Sequence, residues 1–158
     1  MREVTITLEF TQHCLGDCRY KNKSKMLRDP KGRVMLLAPW WLAIMRYAAE
    51  VLGAHLEAVK DIDWDPIVEG ETNDYKRFYS PGKWTLHEAF YPGDQVVAKA
   101  VIPDAISLDD FRELLRIAGR YKGISPYRKD RQYGTFDVVS VEPVCQMPQS
   151  ARADNSLK

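Results

Sequence analysis

Cysteine is scarce in this sequence: Cys14, Cys18 and Cys145 are the three in 158 residues. An odd, sparse set is not the paired framework of a small secreted scaffold. No apolar run approaches the ~20 residues that a membrane-spanning helix needs. Met1-Arg2-Glu3-Val4 passes directly into alternating residues rather than into the apolar stretch of a signal peptide. These absences predict a soluble, cytoplasmic protein that does not engage a membrane. Charge of one sign is also missing, because 23 Lys and Arg stand against 22 Asp and Glu for a net +1. The total therefore selects no partner, and only the placement of the charges is informative. Phosphate-cradling Gly-x-x-x-x-Gly-Lys, Gly-x-Ser-x-Gly and dinucleotide fingerprints are absent, and no cofactor is expected.

What is present has the mix of a globular protein, 45% hydrophobic and 28% charged. Residues 3–10 (EVTITLEF) alternate strictly, which predicts a half-buried strand. Residues 11–33 lose all periodicity and read as a long loop. Pro39 and Gly53 bracket a helix whose apolar positions, Trp41, Ile44, Met45, Ala48, Ala49 and Leu52, recur at helical spacing. Residues 55–70 contain Pro66 and fit an edge or irregular strand. A short strand is predicted at 75–79 and another at 83–90. Tyr91-Pro92-Gly93-Asp94 signals a turn, and 95–102 reads as the second arm of a hairpin with 83–90. Ser107 caps a second helix with Asp109 and Asp110 in its first turn. Phe111, Leu114, Leu115 and Ala118 form its buried stripe, and it ends near Gly119–Gly123. A second loop occupies 124–135, the last strand 136–144, and a polar tail follows. The order predicts an α+β, ferredoxin-like βαββαβ fold, an antiparallel sheet with two helices on one face and two long basic loops. Residues 1–145 are expected to form this one domain, with 146–158 a flexible tail.

Two stretches concentrate positive charge. The first holds Arg19, Lys21, Lys23, Lys25, Arg28, Lys31 and Arg33 around Tyr20, with Asp29 the acidic residue among them. The second holds Arg120, Lys122, Arg128, Lys129 and Arg131, interleaved with Tyr121, Tyr127 and Tyr133. Cations hold phosphates and aromatic faces stack on unpaired bases, so this pattern points to single-stranded nucleic acid. The same runs also fit solvated surface loops. Gly119, Gly123 and Gly134 bracket the second loop, either to let backbone approach a ligand or to end a helix and make a turn. His13 follows the first strand beside the basic loop and is the one candidate for acid–base work, but no second catalytic group is placed with it. His87 and Glu88 should point to opposite faces of their strand. His13, Cys14 and Cys18 lack the usual zinc-ligand pairs, so no metal site is predicted. At least one of Trp40 and Trp41 should be core. Exposure of Trp84 or Tyr79 would favour base stacking, and burial would remove that support.

The segment GRYKGISPYRKDRQYGTFDV, from Gly119 to Val138, resembles the glycine-rich loop before the final strand of RAMP-superfamily proteins, the ferredoxin-like RNA-binding and RNA-processing subunits of CRISPR complexes. The layout is also similar to a group of short phage and prophage proteins, through Leu15-Gly16 and then Arg28, Asp29 and Gly32 before the first helix. The resemblance implies RNA or single-stranded DNA held across the sheet and loops, in a bacterium or phage-infected host, without implying catalysis. It also admits self-association or membership of a larger nucleoprotein complex. Phosphate contacts are assigned to Arg19, Lys21, Lys23, Lys25, Arg120, Lys122, Arg128, Lys129 and Arg131, and stacking to Tyr127 and Tyr133. The alternatives are a protein-interaction module, either a defence inhibitor or a complex subunit, and a metal-independent ribonuclease using His13.

Overall fold

A computed structural model of the chain describes residues 1–80, 82–125 and 132–144. In chain order it forms β1 (Arg2–Phe10), β2 (Cys14–Leu15), β3 (Cys18–Tyr20), β4 (Lys23–Lys25) and α1 (Ala38–Leu52). A short 3-10 turn (Ala58–Asp61) precedes β5 (Asp63–Trp64), β6 (Asn73–Ser80), β7 (Lys83–Phe90) and β8 (Gln95–Ile102). The described part closes with α2 (Leu108–Tyr121) and β9 (Phe136–Pro143). The protein is thus a mixed α+β structure.

Its strands make two sheets. The first is four-stranded in the order β5-β8-β1-β9, with every neighbouring pair antiparallel. The alternation in β1 sends Val4, Ile6, Leu8 and Phe10 to one face, where they are at most 1% exposed. Val96, Ala98, Ala100 and Ile102 of β8 continue that face, and both helices close over it. Trp41 of α1 stacks on Trp64 of β5 at 4.3 Å, with their rings nearly parallel. The helix ends follow from local chemistry. Gly53 takes φ +74 and returns its N–H to the Ala49 carbonyl. The Ser107 side chain accepts a hydrogen bond from the Asp110 N–H at 3.1 Å.

The second sheet has five strands built around β7, with β6 antiparallel on one side and β2 and β4 on the other, and β3 beyond β4. Two sequence-based expectations change here. Residues 11–33 are not a plain loop, because they supply β2, β3 and β4. These strands are two or three residues long, too short to show a period; β2 and β4 exist through pairing with distant β7, and β3 through pairing with β4. Residues 83–90 and 95–102 are not partners in a hairpin either. β7 pairs with β6, whereas β8 pairs with β1 and β5. The intervening turn is instead anchored to the end of β1, with Phe10 N–H on the Asp94 carbonyl and Gly93 N–H on the Phe10 carbonyl. Alternation fixed which face of β8 is buried, but it carries no information about which strand lies beside it.

Candidate nucleic-acid interface

Pairing in the second sheet determines which side chains share a surface. Phe78 of β6 lies opposite Trp84 of β7, and Lys76 lies opposite Leu86. Leu86 in turn faces Lys23 of β4, which faces Tyr20 of β3. Cross-strand partners point to one side, so a row runs Tyr20, Lys23, Leu86, Lys76, with Phe78 and Trp84 at the hairpin tip. Three aromatics of this row are open to solvent, Tyr20 at 56%, Phe78 at 58% and Trp84 at 50%. Their cations lie beside them. The Lys76 ammonium is 4.8 Å from the Trp84 ring, and the Lys25 ammonium is 4.9 Å from the Tyr20 ring. Lys21, at φ +56 in the turn between β3 and β4, reaches the same ring at 5.4 Å. Lys23 pairs with Asp74, and Arg19 is exposed on the opposite side of β3.

The base of this surface is fixed by buried polar contacts. Glu88, 8% exposed, accepts from Arg28, from the Thr72 hydroxyl and from the Met26 N–H at 2.7 Å. Burial opposes the charge of Glu88, but these three donors hold its carboxyl below the usual carboxylate range. On the other face His87, wholly buried, has Nδ1 2.8 Å from the Gly16 carbonyl, while Nε2 accepts from Arg77 at 3.3 Å. That pattern places the proton on Nδ1 of a neutral ring, and burial lowers the His87 pKa accordingly. His87 and Glu88 do point to opposite faces.

The second predicted stretch is divided. Arg120 and Lys122 are exposed at the end of α2, with the Lys122 ammonium 4.6 Å over the Tyr47 ring. Tyr127, Arg128, Lys129 and Arg131 lie outside the described residues. Tyr133 is 1% exposed and packs with Leu15 and Ala89. Its assignment to base stacking is corrected, because its ring has no free face. The glycines serve close backbone packing: a Cβ on Gly134 would stand 2.3 Å from the Ser125 nitrogen, and one on Gly123 would stand 2.6 Å from the Gly134 carbonyl carbon.

His13 joins an aromatic cluster that sequence reasoning did not foresee. Its ring stacks on Tyr75 at 3.9 Å and meets Tyr91 edge-on at 4.6 Å. Nδ1 lies 2.9 Å from the Gln12 side-chain oxygen. Burial lowers its pKa, against a smaller opposing pull from Asp94. Among the described residues, no group of three His, Cys, Asp or Glu side chains is placed to hold a metal ion. No helix among them is long and apolar enough to cross a membrane.

No known family's profile matches the sequence, and no curated protein matches it. The fold is nonetheless similar to chains of CRISPR effector complexes. One belongs to the type III-B Cmr-beta complex bound to cognate target RNA, with 12% identity over 90% of this chain and a TM-score of 0.57. This chain spans 60% of that one's length. Another belongs to a type IV-B CRISPR complex, with 10% identity, 93% of each chain covered and a TM-score of 0.58. At such identities the likeness concerns the fold: the chain has the fold of CRISPR-complex subunits.

Proposed function

We propose that this chain is a non-enzymatic subunit that binds single-stranded RNA or DNA within a CRISPR-like nucleoprotein complex. The reading treats residues 1–145 as one ferredoxin-like, RAMP-like domain, in which β1, α1, β5, β8, α2 and β9 supply the βαββαβ order. The observation that carries the proposal is the exposed row Tyr20–Lys23–Leu86–Lys76 leading to Phe78 and Trp84, cations interleaved with open aromatic faces. Lysines there meet phosphates and the rings stack on bases of any sequence. Arg19, Lys21, Lys25, Arg120 and Lys122 extend the positive surface, and Arg128, Lys129, Arg131 and Tyr127 are assigned to it from sequence. The nucleic acid lies on this second sheet and not across the four-stranded one, whose open face carries carboxylates that repel phosphate.

Replacing Lys21, Lys25 and Lys76 together with Ala should weaken single-stranded RNA binding and flatten its salt dependence while the melting temperature holds. Unaltered affinity would remove the assignment. The similarity to a complex that holds target RNA supports the reading at the level of fold. A ribonuclease reading keeps one specific observation, the His13 ring held neutral between tyrosines. Cleavage that survives chelator and disappears in His13→Ala would favour it.

A further inference from the structure

The open face of the four-stranded sheet is the chemical opposite of the row just described. Strand pairing arranges it in lines: Glu3, Val101 and Asp63 in one, and Glu142, Thr5 and Lys99 in the next. Asp65 lies beside Lys99, donating its N–H to the Lys99 carbonyl. Further lines hold Ser140, Thr7, Val97 and Glu69, and then Asp137, Glu9 and Gln95. None of these carboxylates makes an ion pair among the described residues; Lys99 is set among them, and Arg33, paired with Asp29, borders them beside Asp65 and Glu69. Two hollows of about 270 and 280 Å³ indent the face, one between Glu3, Asp63, Asp65 and Lys99, the other between Asp65, Glu69, Lys99 and Arg33. Three strands of eight or nine residues and the two-residue β5 present about 400 Å², from strand spacing and rise. That is about half of the roughly 800 Å² per partner of an ordinary interface.

We propose that this face receives the β3–β4 hairpin of a second copy of the chain, in a head-to-tail contact. Arg19, Lys21 and Lys25 project from that hairpin, and Lys21 and Lys25 are gathered at the Tyr20 ring. Asp17 at its base is the exposed opposing charge. Two acidic faces repel each other, and so do two basic hairpins, so of these pairings only hairpin against face brings opposite charges together. Different surfaces are used on each copy, so every docked copy keeps a free hairpin or a free face and the contact propagates. Where the phosphate-binding role above also holds, single-stranded nucleic acid competes with the second copy for Lys21 and Lys25. The association itself does not depend on that role.

Sedimentation of the full chain at about 100 μM tests the contact, a concentration at which even modest affinity is populated. Species above the monomer are expected at about 50 mM salt, with association weakened at least ~10-fold near 300 mM as screening shortens. Lys21→Glu with Lys25→Glu should abolish association, as should Glu3→Lys with Asp63→Lys. Mixing these two variants should restore it. A monomer at low salt, or two charge-reversed variants that fail to associate when mixed, would overturn the proposal. The neutral pair Glu3→Gln and Asp63→Asn provides a gentler variant, expected to weaken association without weakening RNA binding. An oligomer that ignores single-stranded RNA would count against the nucleic-acid role alone, whereas an RNA-binding monomer would count against this contact alone.

Discussion

Removing the Trp84 ring is the sharpest perturbation of the proposed interface. Trp84 is half exposed, so truncation to Ala sacrifices only the buried half of a large ring, about 1–2 kcal/mol of folding stability by area. Its partner Lys76, 4.8 Å from the ring, loses a cation–π contact worth about 0.5–1 kcal/mol at an exposed site. Binding should suffer separately. A base stacked on an aromatic side chain contributes about 1–3 kcal/mol, a loss of roughly 5- to 150-fold in affinity. No charge is removed, so the slope of affinity against salt should stay as in the parent protein, whereas Lys76→Ala should lower it by about 0.7–0.9. The assay is anisotropy of a labelled single strand at several salt concentrations, with a melting curve for each variant. A folded Trp84→Ala protein with parental affinity would refute the reasoning, because the ring would then be idle surface.

Other consequences follow from single sites. Cys18 is exposed whereas Cys14 is buried and its thiol is pushed up to about 12. In a Cys145→Ser background, a thiol reagent should therefore label Cys18 rapidly and leave Cys14 untouched until the protein unfolds. His87 and His13 both have pKa values lowered from 6.5 by burial. The unfolded chain then binds more protons, so stability is complete above that value and falls as pH drops below it. The melting temperature should be lower at pH about 5.5 than at about 7.5, and His87→Gln should flatten that dependence; a flat parental profile would contradict the neutral-ring assignment. Gly134→Ala forces a side chain onto φ +84 and within 2.3 Å of the Ser125 nitrogen. Denaturant unfolding should show a loss of about 2–4 kcal/mol from conformational strain and overpacking together.

Much of the first sheet was legible because it rests on local signals. The period-two pattern of β1, the Pro39 and Gly53 bracket of α1 and the Ser107 cap of α2 each act within a few residues. The second sheet was not legible, because β2 and β4 gain their identity from β7, some seventy residues away by their pairing, and β3 only from β4. Charge clustering found Lys21, Lys23 and Lys25, but composition alone could not tell that Tyr20 would be open and Tyr133 closed. Phe78 and Lys76 escaped notice because only the β6–β7 register brings them beside Trp84. The acidic face was equally hidden, since Glu3, Asp63 and Glu142 are far apart in sequence and meet only through β1, β5, β8 and β9.

Titration of labelled single-stranded RNA and DNA with the purified protein at two salt concentrations tests the central claim most directly. Tight binding that weakens steeply with salt and drops further in Trp84→Ala is the predicted result. No binding at low salt would contradict it and leave the exposed aromatic row as a surface for a protein partner.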